Sequence, residues 1–203
     1  MRGLYLVTPN WDDTDRLLDV SEQALHGGVA LLQYRHKSAD AEQRREQAGA
    51  LLALARKYGV PFIINDFIEL CEELDADGVH VGGTDASVAQ VRARLGKDKI
   101  IGASCYGDLA LARTAEAGGA SYVAFGGFYP SLVKKYPLTT PLDIVLQAKR
   151  EIALPCLVIG GMTPENAAPL AARGADMVAA ITSVYQADDV DIAVQQFNQL
   201  FAA

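Results

Sequence analysis

A closed (β/α)8 barrel (TIM barrel) of the α/β class, built as one domain from residues 1–203, is what the sequence predicts. Three observations carry that expectation. Short apolar runs rich in valine and isoleucine, of the kind buried on both faces of a parallel sheet, alternate with helical patterns along the whole chain. Eight such units fit into 203 residues, about 25 apiece, with no low-complexity or linker stretch between them. Glycines follow the helical patterns where a left-handed cap is needed, at Gly27-Gly28, Gly59, Gly96, Gly118-Gly119 and Gly174, and Pro61 and Pro155 come soon after to open the next strand. An open doubly wound sheet is the poorer alternative, because it leaves two edges and usually has fewer units.

Taken in order, the first strand, 3–8, is the run Leu4-Tyr5-Leu6-Val7, which ends in the polar Asn10-Trp11-Asp12-Asp13. The second, 30–35, begins with Leu31-Leu32 and breaks into Gln33-Tyr34-Arg35-His36-Lys37; a helix over 41–58 follows, with Leu51, Leu52, Leu54 and Ala55 on its apolar side. The third, 62–65, stops at Asn65-Asp66, and the fourth, 78–81, runs into Gly82-Gly83-Thr84-Asp85 ahead of a helix over 88–95. The fifth, 100–104, leads to Ser104-Cys105-Tyr106 and a helix over 109–117. The sixth, 122–125, is followed by the segment 126–140, longer than ordinary βα loops and so a candidate cover for a site, and then a helix over 141–151. The seventh, 156–159, meets Gly160-Gly161 and a helix over 164–172 capped by Thr163 with Pro164 at its first position. The eighth, 177–181, ends in Thr182-Ser183, and a helix over 192–201 closes the pattern.

Composition narrows the partners. The formal charge of −7, from 25 acidic and 18 basic residues, argues against nucleic acid or an anionic membrane, so any polyanion has to be bound locally. No apolar run reaches membrane-spanning length, and Leu4-Tyr5-Leu6-Val7 is too short for a signal peptide. Cys71, Cys105 and Cys156 are odd in number, far apart and set among apolar residues, the pattern of reduced core thiols in a cytoplasmic protein. The sequence sets no oligomeric state.

The residues at the strand ends differ in kind from those inside. Gln33, Arg35 and Lys37 are spaced by two, so an extended backbone persisting to Lys37 would send all three from one face. Two cations and an amide would then meet the amide and carboxylate of Asn65 and Asp66, a set suited to a polyanion with its metal. Asp66 and Asp85 end consecutive strands and could share one hard cation; with no His or Cys beside them, magnesium (Mg2+) fits better than zinc. Each could instead cap the helix that follows it. Gly160-Gly161 with the capped helix start, beside Ile181-Thr182-Ser183, forms a turn of the kind that binds a phosphate monoester in barrels. Lys134 and Lys135 lie on the long segment, where one could reach inward while the other is solvated. The three histidines read as structural: His26 ends a helix, His80 is inside a strand and His36 alternates out of phase with Arg35.

Read together, these motifs resemble the thiamine-phosphate synthase family. The resemblance spans nearly the whole chain: Leu4-Tyr5-Leu6-Val7-Thr8, Gln33-Tyr34-Arg35-His36-Lys37, Ile64-Asn65-Asp66, Asp77-Gly78-Val79-His80-Val81-Gly82 through Asp85, Gly102-Ala103-Ser104, Tyr122-Val123 to Gly126, Tyr129-Pro130-Ser131 with Lys134, and Ile159-Gly160-Gly161. It implies a transferase joining 4-amino-2-methyl-5-(diphosphooxymethyl)pyrimidine to a phosphorylated thiazole or carboxythiazole, giving thiamine phosphate and pyrophosphate. It implies that Gln33, Tyr34, Arg35, His36, Lys37, Asn65, Ser104 and Lys134 bind the pyrimidine diphosphate, with Arg35, Lys37, Ser104 and Lys134 taking part in catalysis. Asp66 and Asp85 would hold Mg2+, and Ser131, Leu132, Val133, Gly161, Ile181 and Thr182 would bind the thiazole phosphate. The chain departs from the family pattern at Ser131 and Val133, which stand at two threonine positions of the loop, at Gly83, where glutamine is frequent, and at Tyr106, where histidine is frequent. A thiazole tautomerase-like isomerase and a non-catalytic thiazole-phosphate-binding relative are the competing readings.

Overall fold

Each strand divides its side chains between two apolar layers, and that division makes a barrel. The computed structural model describes residues 1–82, 86–130 and 140–202. Eight parallel strands close on themselves in sequence order: β1 (Gly3–Val7), β2 (Leu31–Tyr34), β3 (Phe62–Asn65), β4 (Gly78–Val81), β5 (Ile100–Tyr106), β6 (Tyr122–Gly126), β7 (Cys156–Ile159) and β8 (Met177–Ala180). One set of alternate residues, including Tyr5, Leu31, Ile63, Tyr122, Leu157 and Met177, fills the barrel interior. The other, including Leu4, Leu6, Leu32, Phe62 and Ile64, packs outward against the helices. A slip of one residue would exchange the two sets, so the apolar alternation itself fixes the register.

Helices α1 (Thr14–His26), α2 (Ala41–Tyr58), α3 (Ile68–Leu74), α4 (Val88–Leu95), α5 (Leu109–Ala117), α6 (Ile144–Glu151), α7 (Pro164–Ala172), α8 (Thr182–Tyr185) and α9 (Val190–Gln199) surround the sheet. The eight expected strands are all present. α1 and α3 are the helices that the sequence implied, before Gly27 and after Asp66, without bounds, and the single turn α8 adds to the expected set. α1 buries Leu17, Ser21, Ala24 and Leu25, a helical spacing with a serine in the middle. Two helices start away from the expected residue. α6 begins at Ile144 because Pro141 to Asp143 form the turn before it, and α9 begins at Val190 because the Asp189 carboxylate accepts the Ile192 N–H.

The cap alternative for the two acidic strand ends does not hold. α3 starts after Phe67 with no side-chain cap, and α4 is capped by Ser87 in a reciprocal box with Gln90. At the opposite rim two other acids hold strand starts: Asp77 accepts the Phe62 N–H at 2.8 Å and Asp176 accepts the Cys156 N–H at 2.7 Å. That rim is the stability face of the barrel, leaving the carboxyl ends of the strands for chemistry.

Candidate active site

At the carboxyl end of the barrel the strand tips converge on one polar hollow. Its polar wall comes from Gln33, Arg35, Asn65, His80 and Ser104, and its apolar wall from Val7, Leu157, Ile159 and Ile181. Gln33 and Arg35 are 4% and 7% exposed, so a long cation and an amide are held inside protein rather than in solvent. Thr8 fixes that geometry: its Oγ1 accepts the Arg35 N–H at 2.8 Å and donates to the Arg35 carbonyl at 3.2 Å, carrying the β1–β2 pairing one residue past the strand. The spacing by two therefore brings Gln33 and Arg35 together. Lys37 lies beyond the strand at the rim, where its backbone N–H donates to Asn10 Oδ1 and its Nζ is 3.5 Å from Asp66 Oδ2. Both side chains of that pair are partly solvated, so it contributes little to stability and is easily exchanged.

Asp66 has φ of 65°, a left-handed conformation uncommon outside glycine. Its N–H donates to the His80 carbonyl at 2.9 Å and the Phe67 N–H donates to the Asn65 carbonyl, which locks the bend. The strain turns the carboxylate back over the mouth's rim toward Lys37.

Two of the expected binding residues turn their side chains elsewhere. Tyr34 alternates away from Gln33 and packs against α2, its hydroxyl donating to Gln47 Oε1 at 3.1 Å. His36 is buried, with Nδ1 accepting the Ala39 N–H at 3.0 Å and Nε2 3.3 Å from Asp12 Oδ1. Their side chains organise the turn after β2 rather than the hollow. Asp85, Ser131, Leu132, Val133, Lys134 and Lys135 lie outside the described residues.

Gly160 and Gly161 have φ of 118° and 61°, and neither accommodates a Cβ: on Gly161 it would lie 2.2 Å from the Pro130 carbonyl. The loop after β7 is thus pressed against the one after β6. Asn166 fastens both. Its side chain accepts the Thr163 N–H and donates to the Gly161 carbonyl, each at 2.8 Å, and its own carbonyl accepts from the Tyr129 hydroxyl at 2.8 Å. Across from them Ile181 lines the hollow, Thr182 opens the turn α8, and Ser183 Oγ is buried with no hydrogen-bond partner among the described residues.

The interior below the hollow holds a file of polar groups that links two expected site residues, Gln33 and Ser104, through three that were not expected there, Tyr5, Tyr122 and His80. Gln33 Nε2 donates to the Tyr5 hydroxyl at 2.8 Å, and the Tyr5 and Tyr122 hydroxyls are 2.7 Å apart. The Tyr122 hydroxyl is 2.9 Å from His80 Nδ1, and His80 Nε2 is 2.9 Å from Ser104 Oγ. Burial raises both phenols above their ordinary range, so they stay protonated. His80 is thus no ordinary core residue, because its ring joins the barrel floor to a residue of the site.

Comparison with known proteins accords with this geometry. The sequence model of the thiamine monophosphate synthase family matches residues 4–184. The chain is 66% identical over 202 residues to the thiamine-phosphate synthase of Janthinobacterium sp. (strain Marseille), covering 100% of this chain and 98% of that protein. It is 51% identical to the thiamine-phosphate synthase of Methylobacillus flagellatus, covering 99% of this chain and 96% of the relative. Among solved structures, thiamine phosphate pyrophosphorylase from Pyrococcus furiosus superposes with a TM-score of 0.86 at 28% identity, over 98% of this chain and 94% of the other. With a closed eight-stranded barrel, a polar hollow at its carboxyl end and this agreement along nearly its full length, the chain belongs to the thiamine monophosphate synthase family.

Proposed function

We propose that this protein joins 4-amino-2-methyl-5-(diphosphooxymethyl)pyrimidine to a thiazole phosphate, in its carboxylated or hydroxyethyl form, releasing pyrophosphate, and carbon dioxide as well when the thiazole is carboxylated, and giving thiamine phosphate. The observation that carries the reading is the buried Arg35 beside Gln33, Asn65 and Ser104, with the Lys37–Asp66 pair at the rim above them. A neutral ring and a diphosphate need such a division, a hydrogen-bonding hollow for the first and concentrated positive charge for the second.

In this mechanism the bond between the pyrimidine methylene carbon and the diphosphate oxygen breaks, and its electron pair leaves with the diphosphate. The electron-rich aminopyrimidine stabilises the resulting methylene cation, so no general base is required. Arg35 binds the departing diphosphate by charge-assisted hydrogen bonds, and Lys37, released from its weak pair, follows the growing negative charge. Lys134 is proposed to add a third cation. Gln33, Asn65 and Ser104 hold the pyrimidine ring, while Val7, Leu157, Ile159 and Ile181 keep water from the cation. The thiazole nitrogen donates its lone pair to the methylene carbon and closes the new C–N bond. Gly161, Thr182 and the Ser183 hydroxyl bind the thiazole phosphate in this reading, with Ser131, Leu132 and Val133 completing the site.

The donors suit Mg2+. Among the described residues no cluster of three or more His, Cys, Asp or Glu side chains forms a closed cage, and Asp66 offers a carboxylate at the rim. Magnesium characteristically takes one or two carboxylates and fills its octahedron with water and substrate phosphate oxygens. Asp66 and Asp85 are the residues proposed to hold it, and bound there it would neutralise charge developing on the diphosphate.

The partners in this reading are small molecules alone, and the three buried unpaired thiols support a reducing, cytoplasmic setting. No helix among the described residues is long and apolar enough to cross a membrane. Incubating the protein with both substrates and Mg2+ and assaying for thiamine phosphate tests the proposal. Formation of product that ceases in excess chelator is expected, and Asp66→Ala should lower turnover by roughly a hundredfold or more at unchanged melting temperature. No product, with isomerisation of the thiazole or binding alone, would assign the chain to the competing functions.

A further inference from the structure

The polar file on the barrel floor has a direction, and the direction ends in the active site. Gln33, Tyr5, Tyr122 and His80 are 4%, 0%, 0% and 7% exposed, so water cannot rearrange their hydrogen bonds. Each phenol has one hydrogen to give. Gln33 Nε2 donates to Tyr5, so the Tyr5 hydrogen goes to Tyr122 and the Tyr122 hydrogen goes to His80 Nδ1. Nδ1 is then the acceptor and the imidazole hydrogen sits on Nε2, where it is donated to Ser104 Oγ. The Ser104 hydrogen has been spent on nothing in the file and is available to the hollow.

With Gln33 Nε2 facing Tyr5, the alternatives leave a donor stranded; an amide turned over, with Oε1 toward Tyr5, would reverse the whole file and put the imidazole hydrogen on Nδ1, the outcome that the histidine nitrogen spectra distinguish. With the hydrogen on Nδ1, or with both ring nitrogens protonated, Tyr122 would accept from His80 and donate to Tyr5. Tyr5 would then accept from both Gln33 and Tyr122, with its own hydrogen pointing at no acceptor in the file. Leaving a buried donor unmade is costly, and with Gln33 donating, the Nε2–H tautomer is the arrangement in which every hydrogen of the file is used.

We infer that Tyr122 and His80 are positioning residues for the proposed reaction: through the His80 Nε2–H tautomer they make Ser104 a hydrogen-bond donor toward a ring-nitrogen lone pair of the heteroaromatic substrate. The inference rests on the transferase reading for its substrate but not for its hydrogen count. A ring carrying C–H at that position meets an unspent hydroxyl and is discriminated against, because the site's buried donor is left unpaired.

The test has two parts. In the resting protein labelled with 15N-histidine, with the His80 signals assigned by their absence in His80→Gln, long-range proton–nitrogen spectra should show a pyrrole-type Nε2 and a pyridine-type Nδ1. A pyrrole-type Nδ1, or two pyrrole-type nitrogens, would overturn the inference without reference to turnover. In kinetics, Tyr122→Phe should lower kcat/KM for the pyrimidine diphosphate by about tenfold, the loss of roughly one buried hydrogen bond, and leave KM for the thiazole phosphate unchanged. Tyr122→Phe added to Ser104→Ala should cost nothing further, since the one acts through the other. Fully additive losses would show that Tyr122 works by another route. Should Tyr122→Phe melt below the assay temperature, the tautomer of the unaltered protein decides. Failure of the transferase reading is separately visible, as absence of thiamine phosphate from the unaltered protein.

Discussion

At Gly102 the absence of one methyl group makes the site. A Cβ built there would lie 2.1 Å from Tyr122 Cζ and 2.6 Å from His80 Nδ1, so only glycine leaves room for both rings to meet. Gly102→Ala is expected to destabilise the protein by about 1–3 kcal/mol, the usual cost of overpacking, and to depress activity beyond that because it separates Tyr122 from His80. Denaturant titration and steady-state kinetics on one preparation measure both. A fully stable Gly102→Ala protein with unaltered kinetics would show that the rings reach each other another way. Arg35→Ala should raise KM for the pyrimidine diphosphate by roughly tenfold or more and leave that for the thiazole phosphate nearly unchanged; equal losses would contradict the division of charge between the two substrates. Gln33 and Arg35 were legible in the sequence because an apolar run breaking into polar residues spaced by two has one geometric meaning. Tyr34 and His36 alternate outward, as the out-of-phase position of His36 already indicated, and only the family resemblance placed them in the site. The role of His80 was illegible, since its ring partners Tyr122 and Ser104 are 42 and 24 residues away and only closure of the barrel joins them.

Among the elements, the loops after β6 and β7 behave as one unit because the Tyr129 hydroxyl of the first donates to the carbonyl of Asn166, whose side chain holds the second. Asn166→Ala removes the N3 half of the capping box on α7 and the grip on the Gly161 carbonyl. It should destabilise the protein by about 1–2 kcal/mol and raise KM for the thiazole phosphate, whereas Ser87→Ala at the start of α4 should cost about 1 kcal/mol with kinetics little changed. Calorimetry with kinetics on the two variants distinguishes a cap that serves the site from one that serves only its helix. The cap of α7 at Thr163 was legible in the sequence, whereas at α4 the expected cap was Asp85 and the one observed is Ser87, paired with Gln90 three residues on. α1 was harder, because Ser21 interrupts its apolar stripe; the serine is buried through bonds to the Leu17 carbonyl and the Tyr185 hydroxyl, a partner 164 residues distant. α3 is a short helix whose entry at Phe67 carries no side-chain cap.

For the whole molecule, burial of the thiols predicts how stability responds to alkali. Cys71 is pushed up to about 11, and Cys105 and Cys156 to about 12, from an ordinary value of 9.0, in each case chiefly by burial. A raised thiol pKa favours the protonated folded state, so stability from these groups is intact below about pH 9 and declines as the unfolded chain ionises between about pH 9 and about pH 12. Denaturation midpoints measured under reducing conditions across that range should fall steadily; a flat profile would mean that the thiols ionise as easily folded as unfolded. Barrel closure itself was predictable from the eight repeating units, since no other arrangement of so many parallel strands avoids open edges. It also bears on how the protein is made. β1 bonds to β2 on one side and to β8 on the other, with Gly3 to Leu6 opposite Met177 to Ala180, so on the ribosome β1 waits for β8 with one edge bare. α9 then packs against α1, and Asn198 donates to the Gly27 and Gly28 carbonyls. Synthesis from the amino end can build the sheet strand by strand, but the cell holds an open, adhesive ribbon until β8 and α9 emerge, and the barrel cannot close before they do.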